Sequence, residues 1–328
     1  MGGEGGMEAG LVQRAGIDFK VIPAAGLHGV DLRQYPRNLA AIWRGTQAAS
    51  RILKKFEPDV MFFTGGFVAV PMALAGRKIP SLLYVPDIEP GMALKALAAF
   101  AKCITVTVEQ SRQYFSQDAK VVVTGYPVRE ELTAWNKQSA RQRLGIEGEL
   151  PVVLVFGGSK GAHSINMALI ENLVGLLERV EVIHISGELD WPVVEKVGEK
   201  LNAEQARRYH AYAYLHEDMG AALSAADLVI SRAGASTLGE FPQFGLPAIL
   251  VPYPHAWRYQ KVNAENLVKN GAALLIEDAR LKSGLTMTIE KLLENPHRLE
   301  EMRAAMLVQR SPDAAEKIAA QLYQLAGE

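Results

Sequence analysis

The stretch that decides the fold is PVVLVFGGSKGAHSINMALIENL, residues Pro151–Leu173. It begins with a short, β-branched apolar run that is typical of a buried strand, and the residues after Ala162 have the pattern of a helix. Between the two lies a turn with three glycines, Gly157, Gly158 and Gly161. A strand that passes through a glycine turn into a helix is the repeating unit of parallel α/β sheets, so the sequence predicts that fold class.

The same alternation of short apolar runs and helical stretches occurs on both sides of this unit. Strands are predicted at 19–24, 59–66, 81–86, 103–108, 119–125, 151–158, 180–187, 208–215, 226–234, 247–254 and 272–278. The chain of 328 residues exceeds the usual size of one hydrophobic core. We therefore predict two doubly wound parallel sheets, in an N-terminal domain at 1–130 and a C-terminal domain at 151–328, joined by a linker at 131–150. The last helix is expected to pack back on the N-terminal domain.

Composition narrows the classes of partner and compartment. The chain has 35 basic and 36 acidic residues, and this balance argues against general nucleic-acid binding. Its single cysteine, Cys103, excludes a disulfide framework and fits a reducing compartment. No apolar run reaches the roughly 18 residues that a membrane-spanning helix needs. A cytoplasmic protein is the expectation.

The glycine turn of the opening stretch is suited to bind a phosphate. Backbone N–H groups at the start of a helix attract anions, and the helix dipole adds to this attraction. The spacing matches neither the P-loop pattern GxxxxGK[ST] nor the dinucleotide pattern GxGxxG. The alternative is a turn that needs glycine only for close packing of the strand on the helix.

A second turn follows another predicted strand, in SRAGASTLGEFPQFGLPAILVPYP, Ser231–Pro254. Small residues and hydroxyls at 233–237 are suited to a diphosphate, and Glu240, one turn inside the helix, can accept hydrogen bonds from both hydroxyls of a ribose. Alternatively, Ser236 and Thr237 cap the helix and Glu240 is a solvated acid. Two anion sites with a diol acceptor describe a nucleoside diphosphate sugar.

Several long segments, in order along almost the whole chain, resemble the MurG family. GGSKGAHSIN is similar to that family's GGSQGAxxLN turn, ISRAGASTLGE to RxGAxTxxE, and GLPAILVPYPHAWRYQKVNAENL to GxPxILVPxPxxxxxxQxxNAxxL. In the first half, FTGGFVAVP resembles GGYVSGP, and VTGYPVREEL resembles TGNPVR. The resemblance implies the GT-B fold. It also implies inverting transfer of N-acetylglucosamine from UDP-N-acetylglucosamine (UDP-GlcNAc) to a lipid-linked muramyl-peptide of peptidoglycan synthesis.

Transferred position by position, the resemblance assigns the site residues. Donor contacts are expected at Arg129, Gly158, Ser159, Lys160, Gly161, His216, Ala235, Ser236, Thr237, Leu238, Gly239, Glu240 and Gln260. Within this set, Glu240 is expected to hold the ribose, Gln260 the sugar and the backbone at His216 the uracil. Gly65, Gly66 and Asp87 are expected on the acceptor side. Two simpler interpretations stay open: Arg129 as a surface arginine beside Glu130, and Gln260 as an ordinary helix residue.

Three departures from the family pattern bear on the acceptor. The family begins with a strand and a GGTGGH loop that this sequence does not show, so we expect a shortened start and an incomplete N-terminal domain. Asp87 replaces a usual asparagine, and Trp257 and Tyr259 replace a usual aspartate and glutamine. The sequence therefore leaves open an acceptor that differs from the one the family uses.

The expected reaction is a direct displacement at the anomeric carbon with UDP as the leaving group. Helix dipoles and Arg129 are expected to stabilise the developing charge, with no metal and no other cofactor. Candidates for the base are Asp87, Glu89 and His255. The proline-flanked acids Asp87 and Glu89 are also typical of a loop that only adds solubility.

The segment at 33–56 has six basic residues and no acidic residue. Its apolar residues, Leu39, Ile42, Trp43, Leu53 and Phe56, recur near helical spacing, and most of this stripe is expected to pack in the core. Alternatively, aromatic and basic side chains here seat the domain on an anionic lipid surface. This second interpretation predicts a peripheral protein on the inner face of the cell membrane.

Three other functions remain open at this stage. The first is a GT-B transferase that uses the same donor with another acceptor, whose sequence would keep the turns of the second half and differ in the first half. A related epimerase that uses the same nucleotide sugar needs acid pairs beside the donor. A sugar-nucleotide-binding module without turnover is the third.

Overall fold

The computed structural model describes residues 1–3, 9–10, 12, 15–26, 31–158, 161–254 and 258–327, with the backbone alone at residue 32. The chain folds into two compact units. Unit 1 comprises residues 1–124 and 316–328, and unit 2 comprises residues 125–315.

Unit 1 contains a four-stranded parallel sheet and a separate pair of short parallel strands. The pair is β1 (Gly2–Gly3) with β2 (Val21–Ile22), and the sheet has the order β3 (Met61–Phe63), β4 (Ser81–Val85), β5 (Cys103–Val106), β6 (Val121–Val123). Its helices are α1 (Tyr35–Phe56), α2 (Ala69–Ala75) and α3 (Met92–Ala98), with 3₁₀ turns at Leu32–Gln34 and Glu109–Tyr114. Cys103 is buried in this sheet.

Unit 2 begins with two short helices and contains a six-stranded parallel sheet. The strands are β7 (Val152–Phe156), β8 (Glu181–Ile185), β9 (Tyr209–Tyr212), β10 (Leu228–Ser231), β11 (Ala248–Leu250) and β12 (Ala273–Leu275). The helices are α4 (Glu130–Thr133), α5 (Lys137–Arg143), α6 (His163–Leu176), α7 (Trp191–Gly198), α8 (Ala203–Arg207), α9 (Met219–Ala225), α10 (Glu240–Phe244), α11 (Tyr259–Lys269), α12 (Leu281–Leu293) and α13 (Pro296–Val308). The 3₁₀ turns are Ala235–Leu238 and Asp278–Arg280.

The last helix, α14 (Ala314–Ala326), belongs mostly to unit 1. The thiol of Cys103 donates to Oε1 of Gln321 at 3.7 Å, and Nζ of Lys120 donates to Oε1 of Gln324 at 2.9 Å. The chain therefore returns to its first unit after it completes the second.

The predicted class of fold, two parallel α/β sheets, is confirmed. Each predicted strand described above is present but shorter, because the predicted runs include the small-residue turns at the carboxyl ends. The sheet of unit 2 has the order β12-β11-β10-β7-β8-β9. The strand order therefore reverses between β7 and β10, which makes this the topological switch point of unit 2, where ligands bind in open parallel sheets.

The segment at 131–150 packs on unit 2 rather than running free. Asn136 caps α5 by accepting a hydrogen bond from the Ser139 amide at 2.9 Å. Leu132 is buried, and a Cβ added to Gly220 would lie 2.4 Å from the Leu132 carbonyl oxygen. Glycine at position 220 thus lets α9 approach α4 closely.

The expectation that most of the apolar stripe of α1 packs in the core is wrong. Only Gly45 and Ala49 of this helix are buried, whereas Leu39 and Trp43 are 54% and 64% exposed. The reason is steric: the fully buried positions of the helix hold small residues, and a Cβ on Gly45 would lie 2.1 Å from the Pro23 carbonyl oxygen. Of the larger side chains, Ile52 and Leu53 are partly buried against the core. None of the described helices is long and apolar enough to cross a membrane.

A buried polar network joins β8, β9 and the first turns of α6 in unit 2. Nδ2 of Asn166 donates to the Ser186 carbonyl at 2.8 Å and to Oδ2 of Asp190 at 2.7 Å, which leaves Oδ1 as the acceptor for Nε2–H of His184 at 3.1 Å. Nδ1 of His184 then accepts from the hydroxyl of Tyr209 at 2.7 Å. This arrangement holds a neutral imidazole, and burial lowers the pKa of His184 to about 4.

The network predicts acid sensitivity. The unfolded chain binds a proton on this histidine below its ordinary pKa of about 6.5, but the folded chain does not until about pH 4, so stability is lost as pH falls between these values. The contribution is at most about 3 kcal/mol. We expect His184→Gln to flatten the decline of the unfolding free energy over pH 6.5–4, measured by urea denaturation.

His297→Gln serves as the matched control because His297 is exposed on α13. It is expected to keep the pH dependence of the unsubstituted protein. An identical pH slope for His184→Gln and His297→Gln would contradict the assignment.

Candidate functional site

The two predicted anion-binding turns follow neighbouring strands of unit 2. The first turn, described at residues 157–158 and 161–162, follows β7, and the second turn, residues 232–239, follows β10. These strands pair in parallel, with Phe156 opposite Ser231. Because the two strands end at the same level, both turns lie side by side at the carboxyl edge of the sheet.

In the first turn the glycines have different roles. A Cβ on Gly157 would lie 2.2 Å from the Ala162 amide nitrogen, and one on Gly161 would lie 2.3 Å from the Ser186 carbonyl oxygen. These two glycines are required by close packing of the turn, as the simpler interpretation of the motif holds. Gly158 differs: its φ is +84°, it is exposed, and no described atom lies within 4 Å of an added Cβ.

The helix after the first turn begins without a side-chain cap from its N-cap residue, Ala162. Amides in the first turn of a helix lack intrahelical acceptors, so α6 presents donors to an anion. The Gly161 amide is already used, since it donates to the Gly158 carbonyl at 3.0 Å. Ser159 and Lys160, predicted to contact the donor, lie outside the described residues.

The second turn is a 3₁₀ turn, Ala235–Leu238, that begins at Gly234. The amide and the hydroxyl of Thr237 both donate to the Gly234 carbonyl, at 3.1 and 2.7 Å. Thr237 is 3% exposed, so this hydroxyl shapes the turn. Leu238 is also buried, whereas Ala235 and Ser236 are partly exposed.

Glu240 lies at the end of the second turn, where α10 begins. Burial raises the pKa of its carboxyl group, while a hydrogen bond from Ser236 and the positive charge of Arg129 act in the opposite direction. A half-buried carboxylate with one neutral donor and one nearby cation is an acceptor that a diol can bind.

Arg129 reaches this region because the preceding segment packs on the second turn. A Cβ on Gly239 would lie 2.5 Å from Cβ of Tyr126, so only glycine lets the two segments approach. Arg129 is itself exposed and precedes α4 in extended backbone. The structure thus brings Arg129, Glu240 and both turns to one edge of unit 2.

Gln260 and His216 lie on opposite sides of the switch point: Gln260 is on α11, which follows β11, and His216 is in the loop after β9. The Tyr253 amide donates to Oε1 of Gln260 at 2.8 Å, which orients the side chain at the start of α11. His216 is exposed in the loop after β9, with its ring 4.5 Å from that of Tyr214. Sequence analysis did not single out Asn263, which is fully buried on α11 and donates to the Ala233 carbonyl at 3.1 Å. The sequence feature that points to Asn263 is its position as the first residue of NAENL, residues 263–267, in a segment that resembles the family pattern.

The acceptor-side candidates lie in unit 1. Gly65 and Gly66 follow β3 with φ of +111° and +84°, and Asp87 follows β4. Glu89 is 7% exposed, and one of its oxygens lies 3.5 Å from Nζ of Lys95. This ion pair makes Glu89 a poor base. His255 and Trp257 lie outside the described residues.

A cavity of about 1010 Å³ in unit 1 does not mark this site. It lies along β3 and is lined mainly by apolar side chains, and among its described lining residues Gly65 is the one predicted site residue. The two turns of unit 2 lie at the open carboxyl edge of the sheet instead, where exposed backbone amides are suited to bind an anion.

Models of glycosyltransferase family 28 match both parts of the chain. The N-terminal domain model matches residues 1–106 and the C-terminal domain model matches residues 152–318. Both matches include turns described above.

Relatives and solved structures agree with this match. The UDP-N-acetylglucosamine–N-acetylmuramyl-(pentapeptide) pyrophosphoryl-undecaprenol N-acetylglucosamine transferase of Roseiflexus sp. (strain RS-1) is 38% identical, over 97% of this chain and 81% of the relative. The protein of the same name from Desulforudis audaxviator (strain MP104C) is 37% identical, over 98% and 88%. The crystal structure of Acinetobacter baumannii MurG superposes with a TM-score of 0.74 at 27% identity, over 98% of this chain and 89% of that one.

A UDP-GlcNAc 2-epimerase from Neisseria meningitidis, solved with UDP-GlcNAc bound, has a TM-score of 0.66 at 15% identity, over 97% and 88%. That likeness shows a shared fold. The family models and the relatives at 35–38% identity show more: this chain belongs to glycosyltransferase family 28 and, within it, to the MurG family of UDP-GlcNAc-dependent transferases.

Proposed function

We propose that this protein transfers N-acetylglucosamine from UDP-GlcNAc to a lipid-linked muramyl-peptide acceptor. The observation that carries the proposal is the pair of turns at the switch point of unit 2, with Glu240 at the end of the second turn. The names of the relatives in the same family supply the sugar and the acceptor.

We propose one orientation for UDP-GlcNAc at this carboxyl edge of unit 2. The pyrophosphate binds between the start of α6 and the turn Ala235–Leu238, where amides and helix dipoles favour an anion. The ribose hydroxyls donate to Glu240, and the uracil lies toward the loop of His216. The sugar extends toward Gln260, whose Nε2 group remains a donor because Oε1 already accepts from Tyr253.

These contacts support departure of UDP. Negative charge grows on the β-phosphate as the bond to the anomeric carbon breaks, and preorganised donors stabilise it without reorganisation. Arg129, whose positive charge also acts on Glu240, adds to this stabilisation. We propose that these groups serve in place of a metal ion.

The acceptor hydroxyl then attacks the opposite face of the sugar, which inverts its configuration. Its proton needs a base, and Asp87 is the described candidate, since Glu89 is buried beside Lys95. We assign the acceptor to the carboxyl edge of unit 1, where Asp87, Gly65 and Gly66 lie.

Helix α1 is proposed to seat unit 1 on an anionic membrane surface, as a peripheral protein facing the cytoplasm. Tyr35, Leu39 and Trp43 are spaced four residues apart, lie on one helix face and are 37%, 54% and 64% exposed. Arg37 and Arg44 are exposed on the same helix. An exposed apolar stripe with flanking cations is the pattern of an interfacial helix. A lipid-linked acceptor requires such contact.

Glu240→Gln is expected to weaken UDP binding by about 1–3 kcal/mol, because the ribose hydroxyls lose a charged acceptor. Calorimetric titration with UDP and 2′-deoxy-UDP measures this effect. The unsubstituted protein should distinguish the two ligands and Glu240→Gln should not. Glu171→Gln is the control, since it removes a surface carboxylate that pairs with Lys282.

In a transfer assay with UDP-GlcNAc and a lipid-linked muramyl-peptide, the protein should release one UDP for each sugar transferred. The same assay is expected to show much lower turnover for Glu240→Gln at subsaturating donor. Equal UDP affinity for Glu240→Gln and Glu171→Gln would remove Glu240 from the site. Release of free sugar or of its epimer would contradict the transferase assignment.

For the membrane contact, replacing Leu39 and Trp43 together by serine is expected to weaken binding to vesicles that contain phosphatidylglycerol by about tenfold or more. Arg37→Glu with Arg44→Glu should weaken it further, since each near-surface cation contributes about 1 kcal/mol. Co-sedimentation measures both.

Leu189→Ser provides the matched control, because Leu189 is 85% exposed in unit 2. It should bind vesicles like the unsubstituted protein. Binding that is equal for neutral and anionic vesicles, or unchanged in the Leu39/Trp43 variant, would rule out this surface.

A further inference from the structure

Arg232 directly follows β10 and contacts the start of α6 and the segments that follow β11 and β12. Its side chain is only 11% exposed. Its Nη1 group donates to Asp278 and, at 3.2 Å, to the Val251 carbonyl, and its Nη2 group donates to Oγ of Ser164 at 2.9 Å. The guanidinium carbon lies 5.2 Å from the ring centre of Tyr253.

These contacts join four adjacent strands of unit 2. Ser164 is on α6, directly after the first turn, and Arg232 directly follows β10. Val251 and Tyr253 follow β11, and Asp278 follows β12. One side chain therefore fastens the helix of the first turn to the second turn and to the two loops beyond it.

Ser164, Arg232 and Asp278 form a closed triangle. The Ser164 hydroxyl accepts from Arg232 and donates to Oδ1 of Asp278 at 2.7 Å, so its one proton and a lone pair are both used. Asp278 balances the charge of Arg232. Because this guanidinium is mostly buried and already paired with a carboxylate, it is suited to hold the turns in place rather than to bind a phosphate directly.

The contact with Tyr253 extends this arrangement toward the sugar. The ring of Tyr253 lies against Arg232, and its backbone amide orients Gln260. Movement of Arg232 would therefore disturb both the spacing of the turns and the loop that presents Gln260.

We propose that Arg232, Ser164 and Asp278 are positioning residues that hold the two turns at the separation required by a pyrophosphate. This inference rests on the donor site proposed above. Its distinctive consequence is selectivity within the ligand. A change of turn spacing weakens binding of the pyrophosphate, which contacts both turns, whereas the nucleoside contacts Glu240 and the loop of His216 and does not depend on the separation of the turns.

The experiment compares UDP and uridine binding by calorimetry, well below the unfolding temperature, for Ser164→Ala, Asp278→Asn and the double variant. Each single variant is expected to bind UDP about tenfold more weakly and uridine within twofold of the unsubstituted protein. The double variant should bind UDP no more weakly than Asp278→Asn alone, since both changes break the same triangle. Ser164→Thr, which keeps the hydroxyl, should retain UDP affinity.

Glu294→Gln is the matched control, because Glu294 forms an exposed pair with Arg179 in the same unit. It should leave both affinities unchanged. The proposal is overturned if both single variants bind UDP within twofold of the unsubstituted protein, if UDP and uridine weaken equally, or if the two effects multiply.

The outcome also distinguishes failure of this proposal from failure of the proposed donor site. If the unsubstituted protein does not bind UDP, the donor site and the triangle's role fail together. If it binds UDP and Glu240→Gln weakens that binding while the triangle variants do not, only the positioning role fails.

Discussion

The proposed donor site depends on the parallel pairing of β7 with β10. Pairing of Phe156 with Ser231 ends both strands at one level, so the turns that follow open side by side at the point where the strand order reverses. Ladder hydrogen bonds hold this register, and a slip of one residue in either strand would exchange the side chains that this strand presents to the two faces of the sheet. Since Val153, Val155, Leu228 and Ile230 are at most 1% exposed in one core, the packing of unit 2 enforces the register.

Close packing and ligand access are divided between residues of the same turn. Gly157 and Gly161 allow the first turn to contact the backbone of its neighbours, whereas Gly158 leaves an open face. In the second turn, Thr237 holds the backbone, and Glu240, which begins α10 directly after the turn, supplies a half-buried carboxylate. Close packing therefore explains some residues of the two turns, and ligand binding is proposed for others.

Much of the fold and part of the site could be predicted from the sequence. Strands and glycine turns are local patterns, and their predictions needed only apolar runs and Gly spacing. The Arg232–Asp278 contact joins residues 46 positions apart and arises from the order β10-β11-β12, which no local pattern reveals. The sequence left open whether Leu39 and Trp43 face the core or a lipid surface for a related reason: helical periodicity shows a stripe but does not show which stripe faces the sheet.

The most direct test of the account is a crystal structure of the protein with UDP bound. We predict pyrophosphate oxygens within hydrogen-bonding distance of amides at the start of α6 and in the turn Ala235–Leu238, with both ribose hydroxyls on Glu240. UDP bound away from the carboxyl edge of β7 and β10, or a ribose that does not touch Glu240, would contradict it.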